Sequence, residues 1–68
     1  MTRKASFMEL AFEQAEQAAA RQEVPVGAVL VKDGEVIAAD GNRTLELLDP
    51  TAHAEILVVR SGAAKLGT

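Results

Sequence analysis

The chain has no cysteine, no tryptophan and no tyrosine, and only two phenylalanines and one histidine. Without cysteine there is no disulfide to staple a small fold and no thiolate to ligate a metal. Phe7 and Phe12 lie on one candidate helix, which excludes an aromatic stacking platform for single-stranded nucleic acid. Seven basic residues against ten acidic ones give a formal charge of −3. Arg3 and Lys4 make only a small basic start, so the clustered positive face of a generic nucleic-acid binder is also missing. No stretch reaches the roughly 18 apolar residues of a membrane span, and no basic-then-apolar leader opens the chain. The expected location is therefore the cytoplasm, with no membrane partner. Thirteen alanines make up much of the 49% apolar content. A domain of this size buries only about 60% of the surface its unfolded chain exposes. The fold is thus expected to be completed by a missing continuation or a partner chain.

What is present reads as four elements. Ser6-Phe7-Met8-Glu9 is a capping-box start. The strong helix formers from Phe7 to about Gln22 follow, with an alanine-rich stripe of Met8, Ala11, Phe12, Ala15, Ala18 and Ala19. Pro25 is expected to stop this helix. Val26 to Val31 is a continuous β-favouring apolar run, as expected of an inner strand covered on both faces. Asp33-Gly34 is a two-residue hairpin turn with Lys32 and Glu35 set across it, and Glu35 to Ala39 returns. A polar-leaning loop spans 42–50. Asp49-Pro50 then predicts a second helix capped by Asp49, with Ala52, Ile56, Val59, Ala63 and Leu66 as its stripe and Gly67 as its stop. Two strands cannot supply every neighbour that Val29 to Val31 requires, so further strands are expected.

The residues that carry chemistry are in Asp49-Pro50-Thr51-Ala52-His53-Ala54-Glu55-Ile56. A catalytic zinc takes three protein ligands and a water, whose pKa it lowers towards about 7. Hydrolysis at such a site also needs a carboxylate that moves protons from that water to the leaving group. His53 and Glu55 are the right types. On an ideal helix, however, residues i and i+2 lie about 200° apart, so both can serve one centre only at a helix start. The bland alternative makes His53 a helix-entry residue and Glu55 a charge at the helix N-terminus, worth about 0.3–1 kcal/mol.

Context favours the chemical reading. From Glu23 the sequence runs Glu-Val-Pro-Val-Gly-Ala-Val-Leu-Val, a hairpin, Asn42-Arg43, then Asp-Pro-Thr-Ala-His-Ala-Glu-Ile. In these segments the chain resembles the N-terminal part of bacterial tRNA-specific adenosine deaminases, within the cytidine-deaminase-like zinc family. The resemblance implies an α/β fold in which residues 1–68 form the N-terminal part of a CMP/dCMP-type deaminase domain. They would supply the helix-strand-strand-helix portion of a three-layer α/β/α sandwich with a mixed sheet. It implies that His53 ligates zinc, that Glu55 shuttles protons and that Asn42 hydrogen-bonds the target nucleoside. Ala54 would present backbone polar groups to the base and Val26 would line the pocket wall. Without the resemblance, Asn42 reads equally as a turn residue and Val26 as plain sheet core. The implied reaction is conversion of adenosine to inosine at the wobble position of a tRNA anticodon arm, by a protein that is a homodimer when complete.

The family's zinc-binding Pro-Cys-x-x-Cys has no counterpart here. Three readings therefore stay open: the N-terminal portion of a tRNA adenosine deaminase, a guanine or cytosine deaminase of the same superfamily, and a non-catalytic truncated or assembly fragment. One prediction follows from ligand count alone. The 68 residues by themselves should hold no stoichiometric zinc and should deaminate no nucleoside, as checked by metal analysis after dialysis against a mild chelator.

Overall fold

The computed structural model describes residues 6–67, so Arg3 and Lys4 lie outside the described residues. The element order is α1 (Phe7–Ala20), β1 (Gly27–Lys32), β2 (Glu35–Gly41) and α2 (Ala54–Leu66), the expected helix, strand, strand, helix. Ser6 is the N-cap of α1, and its hydroxyl accepts from the Glu9 N–H at 3.0 Å. The helix ends at Ala20, two residues early and without help from Pro25. Gln22 adopts a left-handed φ of 66°, its N–H donates to the Ala19 carbonyl, and the Glu23 N–H donates to the Ala18 carbonyl at 2.9 Å. That paired closure is a Schellman motif, here built on glutamine instead of glycine.

The hairpin forms as its turn residues dictate. Asp33 and Gly34 both have positive φ, 53° and 78°, the type I′ geometry that matches strand twist. β1 and β2 pair antiparallel, with Lys32 opposite Glu35 and Gly27 opposite Gly41. Leu30 faces Ala38 and Val31 faces Val36, so Ile37 is an extra residue in β2, a bulge. The Ile37 carbonyl accepts from Lys65 Nζ, in the last turn of α2, at 2.7 Å.

Small residues set how the helices approach. A Cβ on Gly27 would run into the backbone of Ala11 and Ala15, and one on Gly41 would meet the Gln14 carbonyl. α1 therefore lies against the face that Gly27 and Gly41 share. In α2, Gly62 sits against the Leu30 and Ile37 side chains. Gly27 and Leu30 are three apart in one strand and so point to opposite faces. The sheet is thus held between the two helices.

This close approach keeps the alanine line Ala11, Ala15 and Ala18 of the α1 stripe and corrects the rest of both stripes. On α1, Ala18 is buried and Ala11 and Ala15 are partly covered, whereas Met8, Phe12 and Ala19 are exposed. On α2 the buried line is Ala54, Val58 and Gly62, while Ile56, Val59 and Leu66 are exposed and Ala52 is buried ahead of the helix. On α1 the sheet glycines let backbone approach backbone, and on α2 Gly62 leaves room for the Leu30 and Ile37 side chains, so the small line is buried on each helix. Among the described residues the buried apolar side chains are Ala18, Ala38, Ala52, Ala54 and Val58, none larger than valine. β1 is half-buried from Gly27 to Val31, and among the described residues its second edge pairs with no strand. Gly27→Ala should lower the urea midpoint, by about 1–3 kcal/mol or more of stability, because the clash is with backbone that cannot rotate away.

Candidate functional site

The two chemical residues stand where α2 begins. The helix starts at Ala54 with His53 as N-cap, not at Asp49. Asp49-Pro50 instead builds a turn: Asp49 Oδ1 accepts from the Thr51 N–H at 2.9 Å and from the Thr51 hydroxyl at 2.7 Å. Those two bonds hold the Asp49 carboxyl below its ordinary range. His53 is extended, with φ −76° and ψ 150°, and makes no side-chain capping bond. Glu55 lies in the first helical turn, and both side chains are exposed. The i, i+2 obstacle is removed because His53 is not itself helical. The imidazole is also free of the capping task that an N-cap side chain usually performs.

That task falls to Asn42. Its Oδ1 accepts from the Ala54 N–H at 2.7 Å in a buried bond, so the amide caps α2 from 12 residues upstream. Asn42 is 4% exposed and held at two further atoms. Its N–H donates to the Val26 carbonyl at 3.1 Å, and its carbonyl accepts from Arg21 Nη2 at 3.2 Å. Only oxygen can accept the Ala54 proton, which fixes the amide orientation and leaves Nδ2 as a donor without a hydrogen bond among the described residues. Asn42 is therefore no simple turn residue. Val26 precedes β1 and is 42% exposed, so it is not sheet core; its carbonyl supports Asn42. The Ala54 N–H is committed to Asn42 and its methyl is buried.

Around this lies a polar network that the sequence did not reveal. Glu23, 5% exposed, accepts from the Leu45 N–H at 3.1 Å, the Glu46 N–H at 2.8 Å and the Thr44 hydroxyl at 3.2 Å. Burial pushes its carboxyl up. The Glu46 and Leu45 amides, the Thr44 hydroxyl and the Arg21 charge more than offset this and hold it below its ordinary value. Arg43 Nε donates to Asp40 Oδ1 at 2.8 Å and Arg43 Nη1 to Glu46 at 2.9 Å. The Asp40 bond leads in raising the guanidinium pKa. The Glu23 partners are 21–23 residues away in sequence, and no local pattern announces them.

Among the described residues no group of three or more His, Cys, Asp or Glu side chains gathers where a metal could be held. His53 offers one ligand of the three that a catalytic zinc takes from protein. These residues alone do not complete a catalytic zinc set.

The family model for the cytidine and deoxycytidylate deaminase zinc-binding region matches residues 1–68. Over 67 residues the chain is 58% identical to a tRNA-specific adenosine deaminase of Agrobacterium fabrum, covering 98% of this chain and 44% of that protein. It is 45% identical over 65 residues to the tRNA-specific adenosine deaminase of Aquifex aeolicus, covering 96% and 43%. A guanine deaminase of Bacillus subtilis is 49% identical over 43 residues, covering 63% and 28%. A solved chain from a study of A-to-I editing by tRNA:A34 deaminases at the wobble position of transfer RNA superposes with a TM-score of 0.90 at 61% identity. That match covers 91% of this chain and 45% of the other. The chain thus spans less than half the length of these relatives.

The Glu23 contacts generate a pH prediction. A carboxylate with a lowered native pKa contributes stability that is fully present above its unfolded value, here 4.5, and lost as pH falls through the lower native value. The Leu45 and Glu46 amide resonances should therefore titrate together with a midpoint below 4.5, and Glu23→Gln should abolish that step.

Proposed function

Because the chain belongs to the cytidine and deoxycytidylate deaminase zinc-binding family, we propose that it is the N-terminal portion of a zinc-dependent tRNA adenosine deaminase. The whole protein hydrolyses adenosine to inosine at the anticodon wobble position. The observation that carries this reading is the near end-to-end match, 58% identity over 98% of the chain, to a tRNA-specific enzyme. His53, freed from capping, serves as one zinc ligand, and the remaining ligands are thiolates of a Pro-Cys-x-x-Cys segment in the rest of the domain. Zinc, when bound, supplies acidification of the attacking water. Glu55 would move protons from the attacking water to the ring nitrogen and the departing ammonia, as the C–O bond forms and the C–N bond breaks. Asn42 donates from Nδ2 to the nucleoside, Ala54 contributes by holding Asn42 in that orientation, and the exposed Val26 lines the pocket wall.

The complete protein is further proposed to be a cytoplasmic homodimer. The exposed apolar line Ile56, Val59 and Leu66 supports the need for additional covering surface. Among the described residues no helix is long and apolar enough to cross a membrane. A guanine deaminase is the second reading, on the strength of the Bacillus subtilis match, which covers a smaller share of this chain.

A chimera joining this chain to the C-terminal part of the Agrobacterium fabrum relative tests the assignment. It should bind zinc and form inosine in a tRNA anticodon arm, with no release of xanthine from guanine. His53→Ala should lose zinc and activity together. Glu55→Gln should keep zinc while turnover falls by about 10²- to 10⁴-fold. Near-normal inosine formation by Glu55→Gln would overturn the proton-carrier role.

A further inference from the structure

Two polar residues are buried among the described ones, Glu23 and Asn42, and Glu23 bonds the turn that begins two residues after Asn42. We propose that Glu23 is a positioning residue for Asn42: its carboxylate clamps the turn that follows Asn42, and so keeps the Asn42 amide where Nδ2 can meet the nucleoside. This rests on the substrate role proposed for Asn42.

Burying a carboxylate is costly unless strong partners receive it. Here the partners are all in one short stretch: the Thr44 hydroxyl and the N–H groups of Leu45 and Glu46. Glu23 itself is anchored, because its N–H closes the C-terminus of α1 on the Ala18 carbonyl. The clamp therefore ties the turn to a helix. Two residues earlier Arg21 donates to the Asn42 carbonyl, and its guanidinium lies 3.9 Å from Asp40 and 3.7 Å from Glu46. One helix end thus grips Asn42 from both directions along the chain, at its own carbonyl and at the turn beyond it. The turn is further constrained, since the Arg43 N–H donates to the Ala52 carbonyl and the Asp49 N–H to the Thr44 carbonyl, both at 3.0 Å. These bonds tie the segment after Asn42 to the segment leading into His53. A displaced turn would pull on both partners of the 2.7 Å Asn42–Ala54 bond. An apolar side chain at position 23 could fill the same space, but without directional bonds it could not fix the turn's position.

The Ala54 amide proton reports directly on Asn42, whatever the enzyme acts upon. In the chimera, Glu23→Gln keeps the shape but removes an acceptor oxygen and places an NH₂ group against donors. Hydrogen exchange at Ala54 should accelerate about tenfold, while exchange at Leu57 and Val58 stays within about twofold. KM for the anticodon arm should rise about tenfold, with kcat and zinc content within about twofold. In an Asn42→Ala background Glu23→Gln should raise KM no further, because the two act through one contact. Thr44→Val, which deletes one bond to Glu23, should move Ala54 exchange and KM in the same direction by a smaller factor and carries the test if Glu23→Gln does not fold. Unchanged Ala54 exchange, or additive effects on KM, would overturn the proposal. If the chimera failed to deaminate anything, the functional reading would fall and the Ala54 exchange would still decide the positioning role.

Discussion

The buried bond from the Ala54 N–H to Asn42 Oδ1 determines where α2 begins and what its first residues are free to do. A helix start exposes N–H groups that need acceptors, and the N-cap side chain usually provides one. α1 follows that local solution with Ser6. α2 does not: its acceptor comes from the far end of the hairpin, and the His53 side chain is left without a backbone duty. The same bond fixes which way round the Asn42 amide sits. A single contact therefore sets the polarity of one candidate substrate group and the availability of one candidate ligand.

Beneath this contact the packing uses backbone more than side chains. Gly27, Gly41 and Gly62 each sit where a methyl group would collide with a neighbouring element. Layers this close leave little volume for side chains to rearrange, so displacement of one element passes to the next instead of being absorbed. Placement of the α2 start relative to the end of β2 is thus largely a property of the backbone. That suits a site whose parts come from a helix N-terminus, a strand end and a loop.

Much of the architecture was legible because its signals are local. The Ser6 cap, the Asp33-Gly34 turn and the β-favouring runs on either side act over a few residues, and all appear as read. The His53-x-Glu55 pair lies at a helix start, as its proposed chemistry requires, and the deaminase family model matches residues 1–68. What escaped reading depends on partners far apart. Periodicity placed Met8, Phe12, Ile56 and Val59 in the stripes because it weighs hydrophobicity; it cannot see that α1 packs on Gly27 and Gly41, or that Leu30 and Ile37 fill the space over Gly62. Asp49-Pro50 resembles a helix start, yet Thr51 takes the Asp49 carboxylate for a turn and defers the helix to Ala54. Glu23 stood out only as the start of the Glu-Val-Pro-Val-Gly-Ala run, since its hydrogen-bonding partners lie 21–23 residues away.

The bulge at Ile37 has a consequence for α2. An extra residue in a strand leaves a carbonyl out of step with the ladder, and Lys65 occupies it from the last turn of the helix. With Asn42 at its first residue and Lys65 near its last, α2 is pinned to the same strand and its continuation at both ends, across roughly 20 Å of helix. A rod fastened at one end can pivot or slip, whereas one fastened at both cannot move along its axis without breaking a bond at each. A one-turn slide of about 5.4 Å would break both bonds. The helix behaves as a fixed ruler between bulge and site, so movement that widens the site is left to loops or to other parts of the whole protein.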